Sequence, residues 1–107
     1  MELGRAFGAA LRRFRNRAGL SQEAFSTVSS RTYISTLERG QKSPTLEKVD
    51  EIASVLSVHP LSILASCYLT RDGTLTFDDL VIRMRAELMV PNEDACTTPG
   101  QKPCEID

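Results

Sequence analysis

Three observations predict an all-α fold. Apolar residues recur at spacings of three and four along most of the chain, which is the period of a helix with one buried stripe. Glycine, proline and short hydroxylated side chains stand where such stripes begin and end. With 107 residues, 41% of them hydrophobic and 25% charged, there is room for one compact core and little else.

The first helix is expected over residues 3–18, from the stripe Leu3, Phe7, Ala10, Leu11, Phe14 and Ala18. Gly19 ends it. Ser21 reads as the N-cap of a short second helix that buries Ala24 and Phe25 and stops near Thr27. Val28, Ser29 and Ser30 then make a turn, with Val28 packing inward and Ser29 or Ser30 capping the third helix. That helix turns Tyr33, Ile34 and Leu37 inward and leaves Arg31, Thr32, Ser35 and Thr36 outward, and Gly40 provides its left-handed exit. Thr45 caps a fourth helix with the stripe Leu46, Val49, Ile52, Ala53 and Leu56. His59 precedes Pro60 at the start of a fifth, which carries Leu61, Leu64 and Ala65. After the turn signal Asp72-Gly73, a sixth helix is expected from about Phe77 to Met89, with Phe77, Leu80, Val81, Met84 and Leu88 in one line and Asp78 and Asp79 suited to its positive end. Pro91 stops it. Residues 91–107, rich in proline and nearly devoid of apolar side chains, are expected to be disordered.

The segment 19–44 has a distinctive layout: two short helical patterns a few residues apart, the second rich in outward hydroxyls with an arginine near its start, closing on a glycine. Such a layout places a second helix in the DNA major groove. Gly19-Leu20-Ser21-Gln22-Glu23, Tyr33-Ile34-Ser35, Leu37-Glu38-Arg39-Gly40 and Ser43-Pro44-Thr45-Leu46 resemble the phage lambda repressor and Cro family, also called Xre, over about the first two thirds of the chain. The resemblance implies a five-helix lambda-repressor-like DNA-binding domain at 1–65, leaving 66–90 as an extension with an additional C-terminal helix and 91–107 as a tail. The chain departs from the family in the turn, which is two residues shorter than usual and lacks the customary glycine.

By their places in the matched motif, Arg31, Thr32 and Thr36 are implied to contact bases. Arginine can give two donors to a guanine edge, and threonine can donate, accept or touch a thymine methyl. The competing reading makes Arg31 a phosphate contact and the hydroxyls plain surface. Gln22, Tyr33, Lys42, Ser43 and Thr45 are implied to contact phosphates, which positions a protein without reading sequence. Ser21, Ser30 and Thr45 also have the competing role of helix caps. Arg15 and Glu38 match positions at which the family forms an ion pair joining its first helix to the end of its third, a structural role.

Charge is consistent with such a partner once it is divided. Residues 1–65 hold nine Lys/Arg against six Asp/Glu, a balance of +3, and the remainder four against eight, or −4, so an acidic C-terminal part masks local basic character in the total of −1. No apolar run approaches a membrane span and none resembles a signal peptide, so a cytoplasmic location is expected. Cys67, Cys96 and Cys104 are an odd set without paired spacing and His59 is the one histidine, which argues against a zinc site or disulfide framework. Cys67 reads as core or interface, Cys96 and Cys104 as exposed tail thiols. No nucleophile, base and orienter combine, and no phosphate-binding glycine loop is present, so no catalytic site, metal, cofactor or small-molecule ligand is expected.

The function expected is a sequence-specific regulator, a repressor that binds double-stranded palindromic DNA as a homodimer. Phe77, Leu80, Val81, Met84 and Leu88 are its expected dimer interface, because two recognition helices read half-sites about 34 Å apart. The alternative keeps the fold but makes it a protein-interaction module, an antitoxin-like or antiactivator partner.

Overall fold

The computed structural model describes residues 1–89. In order these form α1 (Leu3–Arg17), a 3₁₀ turn (Gln22–Phe25), α2 (Arg31–Glu38), α3 (Leu46–Leu56), α4 (Pro60–Arg71) and α5 (Phe77–Leu88), with no strand among the described residues. One compact unit runs from Met1 to Phe77 and a second begins at Asp78. The expected tail at 91–107, with Cys96 and Cys104, lies outside the described residues.

The first unit is built on α1, which packs along α4 and against the end of α2. Ala6, Phe7, Ala10 and Leu11 enter the core from α1, Ile34 and Leu37 from α2, Val49, Ile52, Ala53 and Leu56 from α3. Each fully buried Leu, Ile or Phe contributes about 1.5–3 kcal/mol of transfer free energy, so these stripes, more than helix propensity, hold the elements together. Arg13 adds a polar tie across the main packing pair: its Nη2 donates to Ser66 Oγ and Thr70 Oγ1, both at 2.8 Å.

Several expected elements differ in detail. The second helix is reduced to a single 3₁₀ turn, which is what two missing residues leave room for, and Ser21 sits at its N-cap position without a side-chain cap bond. Phe25 is fully buried, but Ala24 is exposed because a tighter 3₁₀ turn rotates it away from Phe25's side. Ala18 is exposed beyond the end of α1. Leu46, expected in the buried stripe of its helix, is 77% exposed: it occupies the first position of α3, where the stripe has not yet met the core. In α4 the core residues are Ile63 and Cys67, whereas Leu61 is 53% exposed. That helix is apolar on most sides, so its sequence leaves the inward face ambiguous and packing against α1 decides it.

The caps form largely as read. Ser30 accepts from Tyr33 N, Thr45 from Lys48 N, and His59 Nδ1 from Leu61 N ahead of Pro60 in the first turn of α4. Gly40 leaves α2 at φ +75°, a conformation that side-chain-bearing residues rarely adopt.

Candidate nucleic-acid interface

The site is assembled around α2 and its shortened approach. Val28 N and Ser29 N both donate to Phe25 O, at 2.9 and 2.8 Å, which closes the turn without a glycine. Val28 is half-buried against the core. Its carbonyl accepts from Lys48 Nζ at 2.5 Å, so α3 holds the turn from across the fold. Lys48 also pairs with Glu51 at 3.0 Å and lies 5.9 Å from the ring centroid of Tyr33. Nothing in the sequence distinguishes this lysine from a solvated surface residue, because its partner lies 20 positions away.

Ser30 then starts α2, whose first turn presents Arg31 and Thr32 to solvent. Arg31 has no ion-pair partner among the described residues, and its guanidinium keeps all its donors. Thr36 lies one turn after Thr32 on the same face. Its hydroxyl donates to Thr32 O at 2.8 Å, which leaves its oxygen lone pairs and methyl group for a partner. Ser35 between them accepts from Arg39 Nη1 at 2.7 Å.

The flanking residues fall into two groups. Lys42 and Ser43 are exposed in the loop after α2, with the Lys42 ammonium 5.9 Å from the half-buried Tyr33 ring, and Thr45 is exposed while capping α3. These residues frame one side of α2. Gln22 is different: its Nε2 donates to Glu38 Oε1 at 3.1 Å, so one of its two amide N–H donors is turned to an internal carboxylate.

That carboxylate is the centre of the opposite end of α2. The Glu38 side chain has no exposure. Arg15 grips it with two donors, Nε to Oε2 at 2.5 Å and Nη2 to Oε1 at 3.0 Å, Gln22 adds a third, and Arg12 Nε a long fourth at 3.4 Å. Arg15 Nη1 also donates to Leu20 O at 2.9 Å, joining the exit of α1 to the same knot. Burial raises the carboxyl pKa, but the hydrogen bonds from Arg15 and Gln22, the Arg15 charge and Arg12 together outweigh it and hold Glu38 below the ordinary carboxylate value. The bond to Glu38 raises the Arg15 pKa. Gly8 lets α1 come close enough for all of this: a Cβ there would stand 2.4 Å from Leu37 O and 2.6 Å from Glu38 O. A glycine inside a helical stripe was the sequence signal for this close approach, and it lies outside the matched motif.

In α5, Leu80, Val81 and Met84 are half-buried and Phe77, Ile82 and Leu88 exposed. No residue of α5 is buried. Arg83 and Glu87 pair along it at 3.0 Å. Cys67 is buried in the core, its thiol pKa raised by burial. Among the described residues, no three His, Cys, Asp or Glu side chains are grouped to hold a metal, and no single helix is long and apolar enough to cross a membrane.

A family model described as a helix-turn-helix domain matches residues 6–61. The chain is 38% identical over 61 residues to the control protein C.BamHI of Bacillus amyloliquefaciens, a match covering 54% of this chain and 75% of that protein. It is 33% identical over 76 residues to the uncharacterized HTH-type transcriptional regulator y4dJ of Sinorhizobium fredii, covering 69% of this chain and 99% of the relative. Among solved structures it resembles two of the clp gene regulator ClgR from Corynebacterium glutamicum. One has a TM-score of 0.65 and 26% identity, covering 81% of this chain and 95% of that one. The other has a TM-score of 0.61 and 28% identity, covering 72% and 97%.

Proposed function

The chain belongs to the helix-turn-helix domain family, in its phage lambda repressor and Cro-like (Xre) group, and on that footing we propose that it is a cytoplasmic transcriptional repressor that binds a palindromic DNA operator as a homodimer. The observation that carries this reading is α2 itself, a helix with one end held by a buried carboxylate and the other offering Arg31 and Thr32 to solvent. In this reading Arg31, Thr32 and Thr36 read base edges. Tyr33, Lys42, Ser43 and Thr45 meet phosphates, and Gln22 joins them through the second N–H of its side-chain amide, the first being held by Glu38. Arg15 and Glu38 fix the angle at which α2 enters the groove.

Dimerisation is assigned to Phe77, Leu80, Val81, Met84 and Leu88 of α5, an apolar line that contains no buried residue. Two copies related by a two-fold axis would place their α2 helices on half-sites about 34 Å apart. Leu80→Glu with Met84→Glu should give a folded monomer that no longer binds a palindromic site at working concentration. Sedimentation showing that variant still dimeric would remove α5 from the role.

The second reading, a protein-interaction module on the same fold, draws its support from Gln22, one of whose two amide N–H donors is already engaged by Glu38. Titration against the DNA upstream of its own coding region, at several salt concentrations, separates the two. A regulator binds that DNA more tightly than random duplex and loses affinity as salt rises; a module of the second kind binds neither.

A further inference from the structure

Beside α2 lies a basic groove that takes no part in the proposed base and phosphate contacts. Arg5, Ala9, Arg12, Arg13 and Asn16 fall at i, i+4, i+7, i+8 and i+11 on one face of α1. With Arg39 and Gln41, just past the end of α2, they line an open groove of roughly 890 Å³. Glu38 is the one acid among the lining residues, and its charge is already gripped by Arg15. Arg13 is turned aside to Ser66 and Thr70 of α4, which leaves three guanidiniums with little to neutralise them. Arg12 reaches Glu38 only at 3.4 Å and its side chain is 56% exposed. Arg39 is held by neutral groups, Ser35 Oγ at 2.7 Å and Gln41 Oε1 at 3.4 Å. Arg5 has no ion pair among the described residues, and its stem lies across Gly40, where an added Cβ would meet Arg5 Cγ at 2.8 Å.

The composition of the groove says what kind of partner fits. Ala9 and Met1 are the apolar residues of the lining, its remaining carbon surface being the stems of polar and basic side chains, so a protein partner would find no pocket for the aromatic or aliphatic anchor that dominates protein interfaces. A phosphate chain needs no anchor, only spaced cations. The position fits too. An eight-residue helix is about 12 Å long, and the major groove is about 12 Å wide and 8.5 Å deep. With the first turn of α2 on base edges, its far end, carrying Arg39, stands at the level of the bordering sugar-phosphate strand.

We propose that Arg5, Arg12 and Arg39 form a second, sequence-independent phosphate-binding track that seats the DNA strand bordering the major groove; this rests on the DNA-binding reading of α2. The track adds affinity and salt dependence without adding selectivity.

The test uses the full chain, with affinity measured by fluorescence anisotropy against its own upstream fragment and a random duplex over a range of salt. R5Q/R39Q should flatten the dependence of log K on log salt by about 1.8, or about 0.9 per lost phosphate contact. Both DNAs should lose affinity by the same factor, so their ratio stays fixed. R5K/R39K, which keeps the charges, should restore most of the slope. R17Q/R71Q removes the same net charge from guanidiniums stacked on Phe14 and Tyr68 and should change the slope far less. If R5Q/R39Q melts early, R12Q at an exposed position gives the same readout at about half the size. A groove variant whose slope matches the unmodified protein, or is no flatter than R17Q/R71Q, overturns the track while leaving the DNA-binding reading intact. Unchanged slope with lost binding of a polyglutamate probe assigns the groove to an acidic protein and overturns it as well. Absence of salt-dependent DNA binding by the unmodified protein overturns both.

Discussion

The two ends of α2 are built on opposite principles. At its C-terminal end Glu38 is sealed from solvent and receives donors from Arg15, Gln22 and Arg12, with the backbone of α1 pressed against it at Gly8. At its N-terminal end the side chains of Arg31 and Thr32 stand in water, and the local anchors are a serine cap and the Lys48 bond that holds the preceding turn. In the proposed DNA-binding role, the difference separates two tasks. A helix that reads an external surface must present side chains free of internal partners, yet those side chains are useful only if their direction is fixed. Fixing the far end supplies the direction without using the reading end, so substitutions at the two ends should separate stability from selectivity.

The largest effect is expected from Glu38→Ala. Removing the carboxylate leaves Arg15, 14% exposed, with a largely buried charge and only the Leu20 carbonyl as acceptor, and breaking one side of such a pair costs about 3–5 kcal/mol. Denaturant unfolding should show that loss, and DNA affinity should fall with it. An unchanged unfolding midpoint would mean that α2 is oriented by packing alone. The same knot predicts an acid limb. The Glu38 carboxyl is held below the ordinary carboxylate value in the folded state, so its contribution is present above the unfolded pKa and is lost as pH falls through the folded one. Glu38→Gln should flatten that part of the stability profile.

Gly8→Ala tests the same end through shape. Alanine is the better helix former by about 1 kcal/mol, but its methyl would lie within 2.6 Å of two backbone carbonyl oxygens, which cannot swing away as a flexible side chain would. Overpacking of this kind costs about 1–3 kcal/mol, so the net change should be destabilising. A more stable Gly8→Ala protein would show that α1 and α2 can separate at no cost and that the angle of α2 is soft.

These two tests also mark where sequence reasoning reached and where it stopped. Ser30, Gly40, Thr45 and Pro60 were legible because a cap or a left-handed exit is decided within a few residues. The stripe Val49, Ile52, Ala53 and Leu56 was legible because it is amphipathic. In α4, apolar residues surround the axis, so the choice of Ile63 and Cys67 over Leu61 was made by α1 and could not be read locally. The second helix is legible in the sequence, but not its collapse to one 3₁₀ turn, since the deficit of two residues is visible while its structural cost is not. Lys48 and Arg12 act across 20 and 26 positions; their roles exist only in the folded chain.

At the reading end, Arg31→Ala should leave the melting temperature unchanged, since the side chain is exposed and without an ion pair. It should cost about 1–3 kcal/mol on a cognate site and much less on random DNA. Equal losses on both would make Arg31 a phosphate contact, and the contrast between the two ends would then concern affinity alone.

The smallest effect sharpens the comparison most locally. Ser21 and Ser30 both stand at N-cap positions with extended backbones, at ψ 168° and 156°, and a reading of the sequence treats them alike. Only Ser30 makes the bond, its Oγ accepting from Tyr33 N at 3.0 Å. Ser21 precedes a four-residue 3₁₀ turn and has no side-chain cap bond. Loss of a formed serine cap costs about 1 kcal/mol, so Ser30→Ala should destabilise by that amount and Ser21→Ala by much less. Because the Ser30 bond fixes the first turn that carries Arg31, its loss should also weaken cognate binding by more than the change in stability explains. Equal, near-zero effects of the two substitutions on unfolding would mean that the first turn of α2 is held by Lys48 and the turn before it, and that the reading end has no anchor of its own.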